Sequence, residues 1–276
     1  NCGKAVPFQI FLKDLDTNIY RKYLLEKNQY KDIKYSHVEE PKQNKYITYN
    51  NFNNNEYIFN CSKVNNGSLY LHSRKIKHLE RFYYTSDYGS LLKSLKLSDY
   101  EDEWNVHEER LVIPHWTRDN NLAFIQFRNL NPNAKLRYKT YRIIEDELKI
   151  WGLENINFNK KVFICEGALD ASLLDNCLAM SGADVSISNS YINNYKDNLY
   201  FILDNEPYNK EICLRYEKLS KLGYNVFIWP KTESKDINDY FIANGNLDIF
   251  YNMDNYHNGL KLKLELTRWI KNKTKN

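Results

Sequence analysis

Three short apolar runs, each closing on acidic residues, constrain this chain more than any other feature. Lys161-Val162-Phe163-Ile164-Cys165 leads into Glu166-Gly167-Ala168-Leu169-Asp170, and Leu199-Tyr200-Phe201-Ile202-Leu203 leads into Asp204-Asn205-Glu206. Tyr224-Asn225-Val226-Phe227-Ile228-Trp229-Pro230 is followed by Lys235-Asp236-Ile237-Asn238-Asp239. Apolar runs of this length, separated by helical patterns, read as parallel strands of a βαβ sheet. Such sheets bind ligands outside the carboxyl ends of their strands. Three strands would therefore carry several carboxylates to one edge. Crowded carboxylates resist ionising together unless a cation neutralises them, and hard oxygen donors suit Mg2+ or Mn2+. The pattern leads us to expect a site for metal-dependent phosphate chemistry.

Each acidic pair also has a plainer reading. Glu166-Gly167 is the sharpest element, because a glycine permits a tight turn that leaves the carboxylate open. Asp170, in the next helical turn, would equally complement a helix dipole. Asp204 and Glu206 point to one side of an extended segment, yet Asn205 and Pro207 suit a polar turn. Asp236 and Asp239 share a helix face, although Asp236 alone would serve as an N-cap. Singly the plainer readings prevail; three pairs after three strands of one unit favour a shared site.

Charge is unevenly spread over the 276 residues. Residues 1–150 hold 24 Lys+Arg against 19 Asp+Glu, residues 160–254 hold 9 against 14, and residues 255–276 hold 6 against 1. An acidic island between basic segments fits a metal site beside surfaces that hold polyanions. Within the first basic segment, Lys135, Arg137 and Lys139 would project to one side of an extended chain. Such a row suits a phosphate backbone or a triphosphate, and its plainer reading is a strand edge guarded by lysine. Arg128 ends the preceding strand and would join that surface. No run approaches the roughly 20 apolar residues that span a bilayer, no signal peptide is visible, and five scattered cysteines lack disulfide spacing. A soluble, reduced, cytoplasmic protein is the expectation.

Local signals divide the chain. The Asn-rich run from Asn50 to Asn55 reads as a loop, and Asn65-Asn66-Gly67 as a turn. Helices are predicted around Arg74–Tyr83 and Tyr88–Leu95, with an acidic linker over 99–109. Leu111–Pro114 and Leu122–Arg128 read as a hairpin across Asp119-Asn120-Asn121. Leu260, Leu264 and Ile270 mark a loose apolar face on a basic terminal helix, a candidate for binding DNA or a partner. Cys2-Gly3-Lys4 looks like the second knuckle of a zinc ribbon; zinc needs four ligands in a structural site, and none accompanies Cys2 nearby.

The E-G-x-x-D, D-x-E and D-x-x-D series resembles the TOPRIM fold of topoisomerases and bacterial-type primases. Leu111–Pro114, the hairpin ending in Phe127-Arg128, and Lys135-Leu136-Arg137-Tyr138-Lys139-Thr140 resemble the basic region before TOPRIM in DnaG-type primases. Phe8-Gln9-Ile10-Phe11-Leu12-Lys13 after Cys-Gly is similar to the end of a primase zinc-binding domain. The combination is most similar to replicative primases of T-even-type tailed bacteriophages. This resemblance covers 106–245 well, 1–27 fairly and 28–100 poorly.

The resemblance implies an α/β chain in which an α+β N-terminal subdomain precedes a Rossmann-like TOPRIM domain. Its parts would be a truncated zinc-ribbon end with a linker helix (1–27), a basic subdomain (28–105), the catalytic subdomain (106–255) and a basic C-terminal helix (256–276). It implies an RNA polymerase core that makes short primers on single-stranded DNA by two-metal nucleotidyl transfer. Glu166, Asp204 and Glu206 would be catalytic and would hold Mg2+ or Mn2+ with Asp170, Asp236 and Asp239. Arg128, Lys135, Arg137, Tyr138 and Lys139 would bind template or nucleotide. Cys2 would bind Zn2+ only in a longer chain. Implied partners are ribonucleoside triphosphates, the RNA primer and a hexameric replicative helicase, in the host cytoplasm if the chain is phage-encoded. The alternatives are a TOPRIM nuclease and a non-catalytic TOPRIM DNA-binding scaffold. The form Asp204-Asn205-Glu206 departs from the D-x-D of many bacterial primases.

Overall fold

The computed structural model describes residues 46–145, 147–181, 192 and 194–273. The chain divides into two compact units, Asn1–Lys45 and Tyr46–Asn276. The first lies outside the described residues, and with it the expected zinc-ribbon remnant, Cys2 and the linker helix.

In the second unit, α1 (Tyr49–Asn53), α2 (Asn66–Ser73) and α3 (Tyr88–Ser94) accompany an antiparallel sheet. The sheet runs in chain order through β1 (Phe59–Asn60), β2 (Tyr83–Thr85), β3 (Arg110–Trp116), β4 (Leu122–Asn129) and β5 (Tyr138–Arg142). It draws strands from both sides of residue 105. Period-two alternation sorts its two faces. Val112, Ile125, Phe127 and Tyr141 pack on one side with Phe52 of α1 and Leu91 and Leu92 of α3. On the other side, Leu111 aligns with Arg128 and Tyr138, and Ile113 with Gln126 and Thr140. Leu111 and Ile113 join the core of a second sheet, while their polar neighbours line a cleft beside it.

The second sheet contains β6 (Val162–Cys165), β7 (Cys177–Ala179), β8 (Leu199–Phe201), β9 (Asn225–Phe227) and β10 (Tyr256–His257) in the order β10-β9-β8-β6-β7. All pairs are parallel except β9 with the edge strand β10. Val162–Cys165 is buried throughout, as expected of a parallel strand covered on both faces. The one-turn α4 (Ala168–Ala171) follows β6, and α5 (Lys210–Leu222) connects β8 to β9. Asn209 caps the start of α5, and Gly223, at φ 73°, supplies the left-handed residue that ends it. α6 (Ile237–Asn244), α7 (Asp248–Tyr251) and α8 (Gly259–Lys273) complete the unit. No helix among the described residues is long and apolar enough to cross a membrane.

Several local expectations are corrected. Residues 49–53 are helical, because Phe52 is buried against Tyr83 and Trp116. Asn65-Asn66-Gly67 opens α2: Asn65 and Ser68 form a reciprocal capping box. Asn65→Ala should therefore destabilise the protein by about 1 kcal/mol, measured by urea unfolding. The helix predicted over Arg74–Tyr83 does not form. Arg74 is the C-cap of α2, Lys75 turns to φ 55°, and Tyr83–Thr85 pairs with β3. The acidic stretch 99–109 is no simple linker, since Glu103 accepts hydrogen bonds from Tyr88 (2.6 Å) and Tyr141 (2.8 Å) and pairs with Lys139. On α8, the buried stripe is Leu262, Leu266 and Trp269, spaced by four and three, whereas Leu260 and Leu264 are exposed.

Candidate active site

The carboxyl ends of β6 and β8 and the segment after β9 open on a cleft of about 670 Å³ between the sheets. Glu166, Asp170, Asp204, Asp236 and Asp239 line it on the side of the parallel sheet. Strand direction brings these residues together across 74 positions of sequence, 166 to 239 inclusive.

Each carboxylate is held by its own surroundings. Glu166 accepts the Asp204 N–H at 3.2 Å and pairs with Arg215 of α5 at 2.7 Å. Burial nevertheless raises its pKa, with the Arg215 charge and the Asp204 N–H opposing. Asp170 accepts the Asn238 N–H at 2.9 Å. Gly167 is extended, with φ −116° and ψ 146°, so its role is room rather than a left-handed turn. A Cβ there would lie 3.1 Å from Asp170 Oδ2. Asp236 caps α6 by accepting the Asp239 N–H at 2.7 Å. The capping reading and the cleft reading of Asp236 therefore both hold. Glu206 lies apart from the cleft lining: Lys235 pairs with it at 2.6 Å and Asn209 donates to it at 2.7 Å. Its pKa is lowered, chiefly by the Lys235 hydrogen bond.

The electrostatics of this wall are unbalanced. Burial first, then the charge of Asp236, pushes Asp170 up to about 7. Burial first, then Glu166, Asp170 and Asp236, pushes Asp204 up to about 8. Burial also raises Asp236. Carboxyls so displaced are buried among like charges, and that donor chemistry fits a hard divalent cation. Among the described residues no three such groups are yet gathered closely enough to hold an ion. Two of the acids are instead engaged by cations of the chain, Glu166 by Arg215 and Glu206 by Lys235.

The opposite wall is basic and comes from the antiparallel sheet and the segments flanking it. Arg128, Arg137, Tyr138, Thr140 and Lys149 line it, with Arg74 from the end of α2. The Arg128 guanidinium lies between the Tyr70 and Tyr138 rings, 5.0 and 4.8 Å from their centroids, and donates to the Tyr138 hydroxyl. The row expected from Lys135 to Lys139 divides. Regular strand begins only at Tyr138, so alternation does not carry back to Lys135, which is exposed outside the cleft lining. Lys139 turns to the other face of β5 to meet Glu103. Arg74, Lys149, Arg215 and Lys235 escaped sequence reasoning. Only Lys235, beside Asp236, carried a local signal; the others reach the site from distant segments. Behind the basic wall, His115 meets the cleft residue Ser181 at 2.8 Å, and burial lowers its pKa to about 3, keeping it neutral.

No protein-family profile matches the chain. It is 27% identical over 292 residues to the DNA primase of enterobacteria phage T4, covering 98% of this chain and 80% of that protein. Its fold matches the Aquifex aeolicus primase zinc-binding and RNA polymerase domains, with a TM-score of 0.54 and 16% identity over 71% of this chain and 57% of that one. It likewise matches the E. coli primase catalytic core, with a TM-score of 0.53 and 12% identity over 76% of this chain and 77% of that one. A DnaG primase catalytic domain bound to single-stranded DNA gives a TM-score of 0.53 at 11% identity, over 76% of this chain and 75% of that one. These solved structures, all under 25% identical, share the α/β fold of this chain.

Proposed function

We propose that this chain, whose relatives support a DnaG-type DNA primase, makes short RNA primers on single-stranded DNA by two-cation nucleotidyl transfer in the cleft. One observation carries the reading: five of the six acidic residues singled out from the sequence line one cavity whose facing wall is cationic. A solved DnaG catalytic domain is bound to single-stranded DNA, which supports a DNA template here.

In this reading Asp170, Asp204 and Asp236 are the principal oxygen donors to Mg2+ or Mn2+, with Glu166 and Asp239 beside them. Glu206 joins them on exchanging Lys235. Divalent ions held there would lower the pKa of the primer 3′-hydroxyl and stabilise the departing pyrophosphate. The protein's own part is positioning. Arg215 and the Asp204 N–H orient the Glu166 carboxylate. Arg128, fixed between two tyrosine rings, and Arg74, Arg137 and Lys149 hold phosphates of the template or incoming nucleotide. Lys139, spent on Glu103, and exposed Lys135 play lesser parts. Ribonucleoside triphosphates, the RNA primer and a hexameric replicative helicase complete the set of partners, in the cytoplasm.

Incubation with Mg2+, labelled ribonucleotides and single-stranded DNA tests it. Template-dependent labelled RNA is the expected product. Cleavage of the DNA without RNA would mark a TOPRIM nuclease, and neither product together with no Mn2+ binding would mark a non-catalytic scaffold.

A further inference from the structure

Asn205 stands between two acidic residues of the site, yet it points away from the cleft into the protein. Only 4% of its surface is exposed, and the amide group makes hydrogen bonds on both sides. Its side-chain Nδ2 donates to the Ser234 carbonyl at 2.7 Å, and its Oδ1 accepts from the Trp269 indole at 3.0 Å. Its backbone N–H donates to the Lys235 carbonyl at 2.7 Å. The chemistry leaves no freedom in the assignment: an indole can only donate and a carbonyl can only accept, so the amide has one orientation. Aspartate would set an oxygen against the Ser234 carbonyl, and glycine would leave both partners without a mate. One residue upstream of Asp204, the Leu203 carbonyl accepts from the Trp229 indole at 2.7 Å. Trp229 and Trp269 also share the lining of a cavity of about 370 Å³ behind this segment.

We propose that Asn205 and Trp269 are positioning residues, which hold Asp204 and Glu206 in register with Asp236 for cation binding. The inference rests on the cation reading above. Asn205 ties its own two acidic neighbours to Ser234 and Lys235, the residues that lead directly into Asp236. Trp269 adds the last described helix to that tie. Its indole stacks at a tilt on Tyr216 of α5, with centroids 5.0 Å apart, and Arg215, the adjacent residue of α5, pairs with Glu166. Hydrogen bonds, one ring contact and chain adjacency therefore link Asn205 and Trp269 to Glu166, Asp204, Glu206 and Asp236. This gives the C-terminal helix a role at the site through its buried face, independent of the basic residues on its exposed face.

Trp269→Phe removes the indole N–H and keeps most of the ring. Outer-shell partners of metal ligands typically contribute about 10–100-fold to metal affinity. The expected result is Mn2+ binding weakened by about 10-fold or more, together with faster amide hydrogen exchange at Asn205. Leu262→Val serves as the control, because Leu262 is fully buried on the same helix but is no partner in the hydrogen bonds of Asn205. It should lower the melting temperature while leaving Mn2+ affinity and Asn205 exchange near wild type. Unchanged Mn2+ affinity and unchanged exchange in Trp269→Phe would overturn the proposal, as would equal losses of affinity in both variants. A wild-type protein that binds no Mn2+ would sink the cation reading instead, and the exchange measurement would still decide the brace.

Discussion

Asp204→Asn should reduce primer synthesis by about 100-fold or more, the upper end of what even an outer-shell partner of a metal contributes. Asp204 is the residue on which the wall's negative field converges: Glu166, Asp170, Asp236 and Glu206 all act on its carboxyl. A neutral amide of the same shape keeps the packing but forfeits the charge that a divalent cation needs. Without metal, the variant should fold about as well as wild type, because burial and the neighbouring carboxylates already hold the Asp204 carboxyl largely protonated near neutral pH. Loss of synthesis with retained stability would separate cation binding from folding. Glu206→Gln should cost less, since Glu206 already has Lys235 and lies outside the cleft lining. The measurement is labelled RNA per enzyme at saturating Mn2+; near-wild-type synthesis by Asp204→Asn would refute the assignment.

Without divalent cations, the protein should lose stability as pH rises from about 4 to 8, and Mg2+ or Mn2+ should restore it most at the upper end. The sign follows from linkage. Asp170 and Asp204 titrate in the folded chain at about 7 and about 8, above their ordinary value of 3.8. Between those values these two carboxyls hold more protons in the folded than in the unfolded state, so they lower stability as pH rises. They outweigh the opposite contribution below about 6.5 of His115, whose pKa is lowered. Each tenfold displacement of a proton equilibrium corresponds to about 1.4 kcal/mol, and about 1 kcal/mol shifts the melting midpoint of a protein of this size by about 2–4 °C. A cation bound only by the folded, ionised site reverses the trend and releases protons. Thermal melts at pH 5 and pH 8, with and without Mn2+, check both signs. A metal-free midpoint that is equal at the two pH values, with no added effect of Mn2+ at pH 8, would contradict the crowded-carboxylate account.

The acidic wall was legible because a strand end is a local feature. An apolar run, a polar terminus and the parallel arrangement of βαβ units suffice to bring Glu166, Asp204 and Asp236 to one rim. The hairpin of β3 and β4 was legible for the same reason, from alternation and a turn between them. The facing wall was read only in part. Arg128, Arg137 and Tyr138 line the cleft as anticipated, but Lys139 does not. Its direction depends on where β5 begins, and that is settled by pairing with β4 rather than by the five residues themselves.

Local pattern located the acids at the ends of apolar runs, some of the bases in the strand before them, and a terminal helix. Their partners come from packing between distant segments. Arg74 faces Asp239, Arg215 takes Glu166, and Trp269 holds Asn205, across separations of 165, 49 and 64 residues (Arg74 to Asp239 from their numbers, the others from their bonds). Periodicity reports the face a residue occupies, because it follows from local backbone geometry. It carries no information on which distant group will meet that face, since that depends on how sheets and helices pack once the chain has folded.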